Sequence, residues 1–136
     1  MRPMAAPNEL RQLALAYLAE PNPELKSSSV KRLFLHWQQG ELTLDVAAKL
    51  HADLAIPGRP AKPVLVPPLQ VKRRAMNTVA GRAALIHALC HIEFNAINLA
   101  LDVLWRFANM PSKFYYDWLS VAQEECEHFR LLTQHL

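Results

Sequence analysis

The chain has 136 residues, 51% of them hydrophobic and 20% charged, with a formal net charge of +3. That length holds at most one domain of ordinary size, and the apolar share supplies a core and excludes wholesale disorder. The charge is uneven: residues 1–78 carry 11 Lys/Arg against 6 Asp/Glu, a balance of +5, and residues 79–136 carry 4 against 6, a balance of −2. Basic residues are scattered, with Lys72-Arg73-Arg74 the one cluster, so a solvated basic surface is expected rather than a nucleic-acid interface. Cys90 and Cys126 both fall inside helix patterns and make no disulfide framework, which suits a reducing, cytoplasmic compartment. No secretory signal is evident. The longest apolar stretch, residues 83–107, is interrupted by His87, His91, Glu93, Asn95, Asn98 and Asp102, so no membrane span is expected.

In chain order, Asn8 is placed to cap a short helix over about 9–19, with Leu10, Leu13, Tyr17 and Leu18 on one side. Pro21 and Pro23 end it. Asn22-Pro23-Glu24 reads as a second start, with proline at the first helical position. Val30, Leu33, Phe34 and Trp37 then recur at helical spacing, and Gly40 is a stop. Asp45 is a candidate cap for a third short helix reaching about Leu50. These elements, residues 1–56, are expected to form a helical packing cap, with His36 and His51 at the surface.

Residues 57–77 differ. Five prolines crowd into IPGRPAKPVLVPPLQ, a density that forbids helix and favours extended chain. Val64, Leu65, Val66 and Leu69 give this strap something to bury. RPAKP also contains the PxxP pattern that proline-binding domains take; a strap lying on its own domain is the better reading.

From Thr78 a long pattern begins, with Leu85, Ile86, Leu89, Ile92, Glu93, Ile97, Ala100 and Leu104 at spacings of three and four. It runs to about Ala108. Asn109-Met110-Pro111-Ser112 breaks it, and Ser112 can cap the next helix, whose apolar side is Trp118, Val121, Ala122, Glu125, Phe129 and Leu132. So short a connection makes residues 78–136 an antiparallel hairpin. The second pattern reaches Leu136 with no glycine or proline stop, from which a fragment or a truncated product is expected.

Each long pattern carries a carboxylate on its apolar side. With the turn centred between Met110 and Pro111, Glu93 lies 17.5 residues before it, Glu125 lies 14.5 after and His128 lies 17.5 after. Glu93 and His128 therefore share a level, and Glu125 stands about 4.5 Å along the axis at roughly 1.5 Å per residue. Glu125 and His128, three apart, share a face. A carboxylate inside a bundle costs several kcal/mol or titrates away, and a divalent cation removes that cost. Carboxylate oxygen with imidazole suits iron or manganese. Glu93, Glu125 and His128 are thus the candidate metal ligands, half the ligand set of a di-iron or di-manganese bundle. Glu124 and Glu127 read as a solvated acidic face. His87 and His91 share a face but lack the zinc-protease spacing; His91 lies about 200° around the helix from Glu93, so polar contacts to the strap or the small helices are expected of the pair. Cys90 and Cys126 are expected to pack as small apolar residues. Asn95 and Asn98 can hydrogen-bond neighbouring helices.

HALCHIEFNAINLALDVLWRF followed by MPSKFYYDWLSVAQEECEHFRLL resembles the DUF455 family of bacterial ferritin-like proteins, and GRPAKPVLVPP and GRAALIHA fit the same pattern. The resemblance spans about 42–136. It implies an all-α, ferritin-like bundle, distantly similar to the tRNA hydroxylase of that superfamily, with Glu93 matching the first-helix glutamate and Glu125 and His128 the second-helix Glu-x-x-His. The family's pattern continues into another helix pair with a second such set, whereas this sequence has one Glu-x-x-His. The implied cofactor is a pair of iron or manganese ions, with no ion bound in a lone half-site as the alternative. The implied partner is a second copy in a homodimer, or a missing C-terminal helix pair. The functions to be separated are an oxygen-activating oxidoreductase of unknown substrate and a non-catalytic helical metal-binding or assembly module.

Overall fold

A computed structural model describes residues 8–52, 56–58 and 78–134. It is all-α, with α1 over Leu10–Leu18, α2 over Pro23–Gln38, α3 over Val79–Arg106 and α4 over Ser112–Thr133. α3 and α4 form the expected hairpin; α1 packs on α3, α2 on α4, and α1 on α2. The described residues hold no strand, only an isolated bridge between Glu9 and Thr43. Most of the strap, residues 59–77 with Lys72-Arg73-Arg74, lies outside the described residues.

The core follows from where apolar residues recur on each helix. Leu10, Ala14 and Leu18 of α1 and Val30 and Leu33 of α2 meet Phe94, Ile97, Leu101 and Leu104 of α3 and Tyr115, Leu119, Ala122 and Phe129 of α4. Phe94, midway along α3, and Phe129, near the end of α4, contact ring to ring at 6.1 Å and tie the two helices together.

Helix boundaries follow local hydrogen bonding. Asn22 caps α2 as expected, accepting from the amides of Glu24 and Leu25. Gly40 takes a positive φ of 72° just past the end of that helix, a conformation without steric cost for glycine. Three expectations are corrected. α1 is capped by Glu9, whose carboxylate accepts from the Gln12 amide at 2.8 Å, while Asn8 instead donates to the Glu41 carbonyl. Residues after Asp45 form a turn rather than a third helix: the Asp45 side chain accepts from the Ala47 amide, and the carbonyls of Asp45 and Ala48 are taken by Arg11, leaving no ladder to propagate. Ser112 is the first residue of α4, not its cap; Pro111 precedes it and makes no side-chain cap bond. The turn is held instead by Tyr115, whose hydroxyl donates to the Phe107 carbonyl at 2.7 Å and accepts from the Met110 amide.

Two cations sit in the core where the sequence announced none. Arg11, 1% exposed, donates to the Leu104 and Trp105 carbonyls at the end of α3 and to the Asp45 and Ala48 carbonyls of the segment after α2. Lys26 is fully buried, and its ammonium donates to the Leu18 carbonyl at the end of α1, to the Gly58 carbonyl and to Asn98 Oδ1 on α3. Each satisfies carbonyls that a helix C-terminus leaves unpaired and meets the negative end of the helix dipole.

α3 differs from expectation on its far side. Leu85, Ile92 and Leu99 are 43%, 55% and 58% exposed, although Leu85 and Ile92 belong to the apolar pattern. α1 and α2 cover one side of the hairpin and leave these residues uncovered. By length and composition α3 is apolar enough to cross a membrane, with 33% of its most apolar window buried; its polar interruptions, Glu93 and Asp102 among them, did not take it below that mark.

Candidate metal centre

Glu93 comes from the middle of α3, and Glu125 and His128 come from adjacent turns of α4. The antiparallel hairpin brings them to one level, as the count from the turn requires. One ligand atom from each lies within 4.8 Å of the others, with Glu93 and Glu125 half-buried and His128 exposed. The His128 Nδ1 atom faces both carboxylates, 3.7 Å from Glu93 Oε2 and 3.5 Å from Glu125 Oε2. Both separations exceed an N–H···O hydrogen bond. Neighbouring ligands about 2.1 Å from one ion stand roughly 3 to 3.4 Å apart, so a small inward shift of the side chains would bring these atoms to coordination spacing.

Glu93 Oε2 is shielded from solvent and has no hydrogen-bond partner among the described residues. A shielded carboxylate oxygen without a donor is costly, and a cation is the simplest group to satisfy it. Two carboxylates and one imidazole are the donor chemistry that iron and manganese accept. By donor chemistry and spacing, the three residues could hold such an ion.

The neighbouring residues divide as the spacing indicates. His91 is not in the cluster; it is half-buried, and burial first, then the nearby His87, lowers its pKa. His87 and His51 are exposed, and His36 pairs with Glu41 at 2.7 Å on the surface. Glu127 binds Arg130 on the solvated side and Glu124 is exposed, so neither joins the site. Cys90 and Cys126 are buried free thiols. Burial raises both pKa values, that of Cys126 to about 12 despite a hydrogen bond with Ser27. Asn98 reaches a neighbouring helix, as expected, through Lys26.

The family model described as a protein of unknown function, DUF455, matches residues 19–136. The chain belongs to this family. The match begins before α2, so it takes in one of the small helices as well as the strap and hairpin that carried the resemblance. A relative, an uncharacterized protein of Haemophilus influenzae, is 49% identical over 84 residues, which is 57% of this chain and 29% of that protein. The chain therefore spans less than a third of the length of the curated relative it matches. No solved structure gives a significant match.

Proposed function

We propose that this member of the DUF455 family is a ferritin-like carboxylate protein that holds iron or manganese through Glu93, Glu125 and His128. The observation carrying the reading is the shielded, donorless Glu93 Oε2 facing a Glu-x-x-His from the adjoining helix. Ferritin-like di-metal bundles use a glutamate from each of two helices and a Glu-x-x-His from each of the other two, and this hairpin carries half of that set. Completion requires a second hairpin, from another copy or from a longer chain.

A bound pair of iron ions would supply dioxygen activation, the chemistry of an oxidoreductase or hydroxylase. The residues of this chain supply the rest. Glu93 and Glu125 bring charge that neutralises the cations, and His128 presents a neutral nitrogen. Phe94 and Phe129, one residue beyond Glu93 and His128, pack on the core side and exclude water there. A cytoplasmic location accords with the two free thiols. A second reading, a non-catalytic helical metal-binding or assembly module, is favoured by the exposed position of His128.

The test is elemental analysis of the purified chain after anaerobic loading with Fe(II) and, separately, Mn(II). Binding that falls at least tenfold in Glu125→Ala and His128→Ala is expected. Unchanged metal content in either variant would overturn the assignment. An oxygen-dependent optical change in the iron form separates the oxidative reading from the module.

A further inference from the structure

The uncovered side of the hairpin has the spacing of a helix-docking seam. On α3, Leu85, Leu89, Ile92, Ala96 and Leu99 alternate at four and three residues, with Leu85, Ile92 and Leu99 exposed; on α4, Trp118, Val121, Glu125, His128 and Leu132 do the same, with His128 exposed and the others half-buried at the edge of the core. That alternation is the heptad pattern by which one helix seats against another. At about 100° per residue, Ile92 and Leu99 lie to one side of Glu93, and Phe94 and Asn98, which meet Lys26 of α2, lie to the other. Glu93 therefore stands at the boundary between the packed and the bare side. Glu125 and His128 occupy seam positions themselves.

We infer that this bare α3/α4 face is an interface with a second copy of the same chain, paired about a two-fold axis at the level of Glu93, so that each copy completes the other's metal site. The step rests on the metal reading above. Three observations favour a second copy as the occupant. The α3 stripe runs from 85 to 99, with Ile92 at its centre and Glu93 beside it, so a two-fold axis there lays the stripe antiparallel on itself along its whole length. The same axis brings together two Glu93 carboxylates and two Glu125/His128 pairs, the six-residue complement of a dinuclear bundle. Finally, α4 has 22 residues, about 33 Å. With the hairpin about 20 Å wide, each copy covers roughly 650 Å², and the total falls within the range of stable, specific interfaces.

The experiment uses the full chain with Mn(II) as probe and reads mass by light scattering beside bound metal per chain. Wild type is expected to be a dimer with one ion per chain. Ile92→Glu with Leu99→Glu alters two exposed positions outside the ligand set. It is expected to give a monomer of unchanged helical content that has lost at least tenfold in Mn(II) affinity. A monomeric wild type that binds Mn(II) through the three residues would overturn the pairing and leave the metal reading standing. So would a dimer indifferent to the double substitution. A dimer broken by the substitution but binding neither Mn(II) nor Fe(II) would keep the interface and sink the metal site. Partition of the wild type into phosphatidylcholine vesicles through this face, in place of dimerisation, would also overturn the pairing.

Discussion

Glu93 Oε2 lies 3.7 Å from His128 Nδ1, shielded from water and without a hydrogen-bond donor among the described residues. A metal-free chain holds this carboxylate at a loss. Glu93→Gln removes the charge and introduces donors beside Glu125 and His128. In chelator-treated buffer the variant should be more stable than wild type by about 1 kcal/mol, or roughly 3–5 °C in melting temperature. Added Mn(II) should reverse the order, because a ligand bound by the folded state alone adds stability in proportion to its occupancy. Paired thermal melts with and without Mn(II) read this directly. A variant less stable than wild type without metal would show that Glu93 has a structural partner.

Arg11 makes the opposite case, a charge that the fold depends on. Its planar fork reaches α3 through Nε and Nη2 and the 45–48 loop through Nη1. Lysine cannot span that set, since one ammonium offers three donors from a single point. Arg11→Lys should cost roughly 2–4 kcal/mol by leaving buried carbonyls unpaired. Urea unfolding measures it, and hydrogen exchange should show the largest loss of protection at the end of α3. A cost under about 0.5 kcal/mol would mean that water replaces the missing donors.

The hairpin and the meeting of Glu93, Glu125 and His128 were legible because both depend on local rules. Spacing sets the face of a helix, and the short 107–111 connection fixes the register of the next one, so counting from the turn placed Glu93 opposite His128. The small helices were legible in outline for the same reason, through Asn22-Pro23 and Gly40. The roles of Arg11, Lys26 and Glu9 were not. Each has a charge that ordinarily marks a surface position, and each is buried because it serves backbone groups from elements distant in sequence. Lys26 joins α1, residue 58 and α3. No periodicity encodes such a partner. The bare stripe on α3 was missed for a related reason: hydrophobic spacing shows that a face can be covered, not by what.

Gly58 follows from the same convergence of backbone. Its amide donates to the Leu18 carbonyl at 2.8 Å and its carbonyl accepts from Lys26. A methyl group there would sit 2.1 Å from the Ala19 carbonyl oxygen and 2.8 Å from the Glu20 carbonyl carbon. Those atoms belong to backbone and cannot swing aside. Gly58→Ala should therefore separate the segment from the end of α1 and weaken the Lys26 site, at a cost of roughly 1–3 kcal/mol. The check is the urea midpoint alongside Lys26→Met. The two losses should overlap when combined, since neighbouring substitutions that share partners are not additive. Full additivity would show that the close approach and the buried ammonium act independently.

Cys126 gives the fold a pH signature. Burial holds its thiol pKa near 12, against 9.0 for an unperturbed thiol. At pH 8 the folded chain then has about one thiolate in ten thousand at this position, so alkylation by iodoacetamide should be slow until the chain unfolds. The sign of the stability effect follows from the raised pKa. The folded state prefers the neutral thiol, so the contribution is fully present below about pH 9 and is lost as pH rises from there toward 12. Urea midpoints of wild type and Cys126→Ala at pH 8, 10 and 11 isolate this contribution from the lysines and tyrosines that titrate in the same window. At pH 8 wild type should be the more stable, because alanine leaves a small cavity, and the difference should narrow at pH 10 and narrow further at pH 11. A constant difference across the three values would show that solvent reaches the sulfur.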